Sequence, residues 1–305
     1  MCNLSCKKYF EKKIERFLFT NLKALKIKKS DIIYVGLDLT KFFLPFLTIF
    51  PDFKKKDMDI YFCNLFFKLL KKYFANQGTF IFPAFSWSFL EKKKFKKNQT
   101  KPEIGSFERY LFNKKGVTRS DHPINSLISW GKKNKEITKD HGVYSFGYNS
   151  PFQKFKELGV KFVNIGIPFY DTCTYVHHLE HLNGFNHRYY KLIQGQNYIK
   201  GKFIKKNYFF LVKYDSFNGK IRRNEKILYS LLIHKKKVKS FNAKKVIFSS
   251  INSQDVYYEG LKLLNKDSCA FMRKKIVIFM KENKKKINIK NKKKTIKINY
   301  NLILS

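Results

Sequence analysis

The sequence predicts an α/β fold with a central, mostly mixed sheet flanked by helices. Three observations carry this. Short apolar runs of strand character alternate with runs of helical period through the middle of the chain. Glycine and proline are scarce in these 305 residues and punctuate that stretch: twelve of the 14 glycines lie between Gly36 and Gly201, and all seven prolines between Pro45 and Pro168. Beyond Gly201 the segment Tyr208–Tyr214 (YFFLVKY) adds strand character without clear crossover helices, so the sheet is mixed rather than purely parallel.

The elements follow in order. Asp31–Leu39 (DIIYVGLDL) reads as a first strand. Asp57–Asn76 has the apolar period of a helix, with Gly78 placed to cap its C-terminus. Thr79–Phe82 (TFIF) is a buried strand that stops at Pro83. Ile104–Asn113 forms a short helix ahead of Gly116. Ser150 and Pro151 open the FQKFKEL helix and Gly159 closes it: serine can cap the first amides, and proline suits the first turn. Val160–Ile165 is the next strand, and Thr174–Leu182 the next helix, with Thr174 as its cap. One domain over residues 1–280, with its motifs in about 30–200, and a Lys-rich tail or edge segment at 281–305 account for the length. There is no internal repeat.

The charge is +42, from 64 Lys and Arg against 22 Asp and Glu. Only seven of the 64 are arginine, while Lys, Asn, Ile, Phe and Tyr abound and Ala occurs five times. These abundant residues share codons built from A and T, so mutational drift explains the lysine surface. Selection for phosphate recognition favours the planar arginine fork. A specific nucleic-acid partner is therefore not expected. The longest apolar run, Phe42–Phe50, is interrupted by Pro45 and Thr48 and is too short to cross a bilayer. The N-terminal stretch, with Lys7, Lys8, Glu11, Lys12 and Lys13, has no apolar signal-peptide core. Five scattered cysteines (2, 6, 63, 173 and 269) make no disulfide framework, and the expected compartment is the cytoplasm.

The densest reactive cluster is Thr174-Tyr-Val-His177-His178-Leu-Glu180-His181, which opens a helix after a strand and loop. Ligands of open α/β sheets bind there. His177 and Glu180, three apart, share a helix face, and a histidine oriented by a carboxylate is the minimum for general-base work. Surface histidines on an ordinary amphipathic helix fit the same pattern. So does a zinc peptidase of the H-x-x-E-H kind, with His177 and His181 on the metal and Glu180 activating water.

At this point the chain resembles the antibiotic N-acetyltransferase family, typified by aminoglycoside 3-N-acetyltransferase, whose T-x-x-H-x-x-E segment is similar to Thr174–Glu180. Four other stretches match in order. Gly78-Thr79-Phe-Ile-Phe-Pro83-Ala-Phe85-Ser86 resembles its G-T-hydrophobic-P-x-F-[ST] segment. Gly116-Val117-x-Arg119-Ser120-x-His122-Pro123-x-x-Ser126 resembles its G-V-x-R-S-x-H-P-x-x-S block. Gly147-x-x-Ser150-Pro151 resembles G-x-x-S-P, and Arg188-Tyr189-x-Lys191 a Y-R-Y-x-K stretch. One stretch departs: where the family carries an H-S-S-L-like segment beside the thioester, this chain has Gly36-Leu37-Asp38-Leu39.

The resemblance implies an acyltransferase that uses acetyl-CoA, with no metal, to acetylate an amine of an aminoglycoside or amino sugar. His177 would be the base and Glu180 its orienting partner. Asp38, Leu39, Arg119, Ser120, His122 and Ser126 would contact the cosubstrate, and Phe85 and Thr174 the acceptor. Plainer readings stand beside these: a solvated surface arginine for Arg119 and a turn residue for Ser126. Cys173, next to the motif, is expected as a small buried residue rather than an acyl carrier. There is no R-x-x-G-x-G pyrophosphate loop, so the fold implied is that of the family and not the GNAT fold. The cationic surface disfavours polycationic drugs and favours a phosphate-linked amino sugar as acceptor. The oligomeric state, a homodimer among the options, is open. The rival class, a basic protein binding nucleic acid or an anionic membrane, leaves the ordered motifs unexplained.

Overall fold

A β-branched apolar run, Ile32–Leu37 (IIYVGL), forms the central strand β1 of the computed structural model, which describes residues 4–49, 55–185, 187–213 and 223–272. Its side chains alternate between two cores. Ile33 and Val35 enter one, Ile32 and Tyr34 the other, as a strand covered on both faces requires. Ahead of it runs helix α1 (Leu4–Ala24), whose Phe10, Ile14, Leu18 and Leu22 recur every fourth residue and are fully buried. After β1 come α2 (Leu39–Phe43), a 3₁₀ turn (Leu44–Ile49) and α3 (Lys55–Phe74), then β2 (Thr79–Pro83), α4 (Phe89–Lys92) and β3 (Lys94–Phe95). Next are α5 (Ser106–Leu111), β4 (Val117–Arg119), β5 (Leu127–Gly131), α6 (Asn134–Thr138), α7 (Gln153–Glu157) and β6 (Lys161–Ile165). The second half holds α8 (Phe169–Thr172), α9 (Val176–Asn183), β7 (Arg188–Ile199), β8 (Lys202–Lys213), α10 (Lys226–His234), β9 (Val238–Ala243), β10 (Val246–Asn252) and α11 (Ser253–Lys266).

Seven strands form the main sheet in the order β4-β5-β2-β1-β6-β10-β9. β1 is parallel to both β2 and β6, and the outer pairs are antiparallel, so the sheet is mixed as expected. The chain leaves β1 through α2 and α3 on the Ile33 face and leaves β6 through α8 and α9 on the Tyr34 face. Elements departing to opposite faces open a crevice at the C-terminal ends of β1 and β6, where an open α/β sheet takes its ligand. Gly36 lies at this crevice, and a Cβ there would collide with the Asn164 amide and the Thr172 hydroxyl, which are themselves hydrogen bonded at 2.5 Å. A second sheet, β3-β7-β8, is dominated by the long β7–β8 hairpin, whose Lys200–Gly201 turn has both residues at positive φ.

Three local expectations are corrected. Gly78 does not cap α3; the left-handed residues there are Ala75 and Asn76, and Gly78 is needed because a Cβ would strike the Lys29 carbonyl. Ser150 donates to the Gly147 carbonyl at 2.7 Å instead of capping α7. Thr174 lies ahead of α9, which begins at Val176 after Tyr175; the Thr174 carbonyl, not its hydroxyl, accepts the His177 amide. The C-terminal part also holds helices, α10 and α11, where only strands were expected. The Lys-rich segment 281–305 lies outside the described residues. Among the described residues no helix is long and apolar enough to cross a membrane.

Candidate active site

Helix α9 (VHHLEHLN) is not a surface helix: every residue from Val176 to His181 is buried. One side meets the sheet core through Val176 and Leu179. Another meets the hairpin, where the Tyr190 hydroxyl lies 2.5 Å from His181 Nδ1. That enclosure turns the His177–Glu180 spacing into fixed geometry. His177 Nδ1 lies 2.8 Å from Glu180 Oε2. A carboxylate cannot donate, so Nδ1 carries the proton and Nε2 is left as the acceptor nitrogen. Phe146 stands edge-on to the ring, with centroids 5.3 Å apart.

Glu180 is held from two further sides. His187 Nε2 donates to Oε1 at 2.9 Å, and Arg188 Nε is ion-paired with Oε2 at 2.9 Å. Burial by itself would raise the Glu180 carboxyl, but Arg188 and the bonds from His177 and His187 outweigh it and hold the group well below its ordinary range. Burial, and after it the charge of Arg188, brings His177 down to about 3, with the Glu180 contact opposing. Its imidazole is therefore neutral at physiological pH. The acceptor nitrogen Nε2 is taken by Arg223 Nη1 at 2.8 Å. Arg223 also pairs with Glu225 at the start of α10.

The zinc-peptidase alternative does not fit this geometry. Such a site needs the ligand nitrogens free and Glu180 free to polarise water. Here the ring nitrogens of His177 hold Glu180 and Arg223, and a guanidinium is the wrong charge to share a nitrogen with a dication.

The other expected contacts divide into two groups. Asp38 and Leu39 lie at the C-terminal end of β1, beside the crevice; Asp38 caps α2 by accepting the Lys41 amide at 2.9 Å. Thr174 is half-buried on the approach to α9, and Phe85 is buried against the half-exposed Trp87. The R-S-x-H-P-x-x-S block behaves differently: its side chains are spent on other protein groups. Arg119 is 5% exposed, and all five of its N–H groups go to protein acceptors. Nε donates to Ser126 Oγ at 2.9 Å. Nη2 reaches the Ala84 carbonyl and Ser86 Oγ, both at 2.7 Å, and Nη1 the carbonyls of Lys97, at 3.2 Å, and Thr100. Ser126 in turn donates to Ala84. Ser120 accepts the Leu127 amide and pairs with His141 at 3.0 Å. His122 accepts the amides of Ile124 and Asn125 on Nδ1, and its Nε2 lies 3.3 Å from the Val143 carbonyl. These four residues form a buried polar knot and leave no arginine donor for a phosphate. Replacing Arg119 by Met is accordingly expected to cost about 3–5 kcal/mol, because it strands buried acceptors. Urea unfolding measures this; unchanged stability with a raised KM for acetyl-CoA would restore the ligand-contact role.

His187, Arg223 and Glu225 escape sequence reading. His187 sits in a loop of no periodicity, and Arg223 approaches from 46 positions beyond His177. Only Arg188 stood in a motif, without its role.

Comparison with known proteins completes the picture. Residues 63–250, well over half of the chain, match the family model of aminoglycoside 3-N-acetyltransferase. Among solved structures, aminoglycoside acetyltransferase AAC(3)-Xa is similar at TM-score 0.67 and 14% identity, over 85% of this chain and 98% of that one. AAC-IIIb solved with CoASH is similar at TM-score 0.63 and 18% identity, over 83% and 96%. A variant of AAC(3)-IVa in complex with a gentamicin gives 0.65 and 16%, over 84% and 90%. None of the curated protein sequences compared matches. A family match of that span, on a chain with the AAC(3) fold, has one consequence: the chain belongs to the aminoglycoside 3-N-acetyltransferase family of acyltransferases.

Proposed function

We propose that the protein transfers the acetyl group of acetyl-CoA directly to a primary amine of an aminoglycoside or amino sugar. One observation carries the reading: a buried histidine whose Nδ1–H is held by Glu180, which leaves Nε2, the nitrogen that Arg223 Nη1 donates to, as the basic one. An alkyl amine is protonated near pH 7 and cannot attack until it loses a proton. His177 Nε2 takes that proton, and Glu180 stabilises the imidazolium that forms. Gly36, by keeping β1 close to Asn164 and Thr172, holds the crevice in shape below the base. Acetyl-CoA supplies an activated acetyl group and, at its far end, several phosphate charges.

A basic cleft fits those phosphates. It has a volume of about 470 Å³ and is lined by Lys13 and Arg16 of α1, Phe17, Phe46 and Lys244 among others. It opens at the ligand end of the sheet, since the β9–β10 turn extends past the C-terminus of β6. Its cations are available to phosphate, as those of the Arg119 knot are not. Release of free thiol from acetyl-CoA, with a panel of amines, tests the function; no release with any amine overturns it. Arg16→Glu is expected to raise the KM for acetyl-CoA about tenfold, the worth of one charge-assisted contact, with little change in kcat. An unchanged KM would remove the cleft from the cosubstrate site.

A further inference from the structure

The nitrogen that has to receive the proton is not vacant. Arg223 Nη1 donates to His177 Nε2 at 2.8 Å, while the remainder of that guanidinium rests on Glu225. The Arg223 side chain is one third exposed, so it can be reached and can leave. Behind it lies Arg188, 5% exposed, whose charge acts on Glu180, Arg223 and Glu225. Among the described residues Arg188 Nη2 is buried and has no hydrogen-bond partner. A buried guanidinium nitrogen left unpaired is costly unless a ligand supplies the acceptor.

Two arginines at the mouth of the base set a condition on the acceptor. A polycation has to bring its ammonium to His177 past the Arg223 charge and offers that charge nothing in exchange. A phosphate or carboxylate offers two oxygens in the plane of the guanidinium, the strongest geometry an arginine finds. We propose that Arg223 is a specificity-determining residue: it captures an anionic group carried close to the reacting amine and, in moving onto that anion, uncovers His177 Nε2. Arg188 Nη2 completes the anion subsite. This rests on His177 being the base, as proposed above. The acceptor class that follows is an amino sugar bearing an acidic group. Arg223 then acts both as cap and as receptor, so that the base is exposed only when the correct acceptor is bound.

The test uses the full chain, acetyl-CoA and four acceptors: glucosamine, glucosamine 1-phosphate, 2-amino-2-deoxyglucuronate and kanamycin. At least one anionic acceptor is expected to exceed glucosamine and kanamycin about tenfold or more in kcat/KM, the value of a bidentate contact. The phosphate and carboxylate arms show which anion the subsite takes. Arg223→Gln is expected to abolish that preference through KM. It should also raise kcat/KM for glucosamine several-fold, because the cap is gone. Persistence of the anionic preference in the variant, or kanamycin as the best acceptor of the wild type, overturns the inference. Should the variant not fold, inorganic phosphate serves as probe on the wild type: inhibition competitive with the acceptor supports the subsite, and its absence at millimolar concentration overturns it. If His177→Ala keeps wild-type turnover while Arg223→Gln loses the anionic preference, the base assignment falls and the anion subsite stands.

Discussion

Replacement of His177 by alanine is expected to lower kcat/KM about 10³-fold while the protein remains folded. A positioned general base is worth 10²–10⁴-fold, and among the described residues the one other histidine paired with a carboxylate, His187, is fully buried. His178 spends Nδ1 on the Gly147 amide, His181 pairs with Tyr190, and His187 is fully buried behind Glu180. The loss should fall in kcat for a saturating acceptor, because the proton is removed in the transition state. Added imidazole should restore part of the rate in His177→Ala, as a structural role for the ring would not allow. Wild-type turnover in the variant ends the assignment. Glu180 is a poor first target. Its removal leaves Arg188 as an uncompensated buried charge, at a cost of about 3–5 kcal/mol, and confuses catalysis with folding.

The wild-type pH profile belongs to the same expectation. His177 is neutral above about pH 3 in the resting protein, so it is already deprotonated throughout the working range. The rise of kcat/KM with pH should then follow the acceptor amine and shift with the amine chosen. A break near pH 6.5 common to all acceptors would show an ordinary titrating histidine instead.

What the sequence could and could not show has local causes. β1, β2 and β6 were legible because central strands are apolar on both faces, and β2 ends at Pro83 and β6 ahead of Gly166. Helix α1 was hidden: its buried Phe10, Ile14, Leu18 and Leu22 are interleaved with lysines that the whole chain carries. The β9–β10 hairpin was hidden because its two-residue turn is Lys244–Lys245, both at positive φ, where Asn-Gly is the usual signal. The His177–Glu180 pair was legible because i, i+3 spacing is a property of one helix. Arg223 and His187 were not, since no local pattern brings them to Glu180 and His177. The Arg119 block is a different case. Its specificity as a motif was read as ligand binding, and four buried polar residues that each satisfy neighbouring backbone and side-chain groups demand fixed identities just as strictly.

Acidification from pH 7.5 to 5.5 should destabilise the protein by several kcal/mol. Five histidines are buried neutral. Burial, the largest cause in each, lowers His122, His177 and His178 to about 3 and His181 to about 4, and holds His141 well below the ordinary value. In the unfolded chain each titrates near 6.5, so below that pH the unfolded state binds protons that the folded state refuses. Stability is therefore complete above about pH 6.5 and falls as pH drops through it, by about 1.4 kcal/mol per histidine per pH unit. Glu108 works in the opposite sense: burial raises it to about 7, so the folded state takes up a proton earlier and offsets roughly one histidine. Glu180, held low, adds to the loss only below about pH 4.5, where the unfolded carboxylate protonates first. The net loss is comparable with the whole stability of many domains. The urea midpoint should drop by about 1–2 M between the two pH values, and a midpoint equal or higher at pH 5.5 would refute the buried-neutral assignment. His122→Asn sharpens the test. The asparagine oxygen can accept the Ile124 and Asn125 amides in place of Nδ1 and does not titrate, so the pH slope of stability should fall by about one proton.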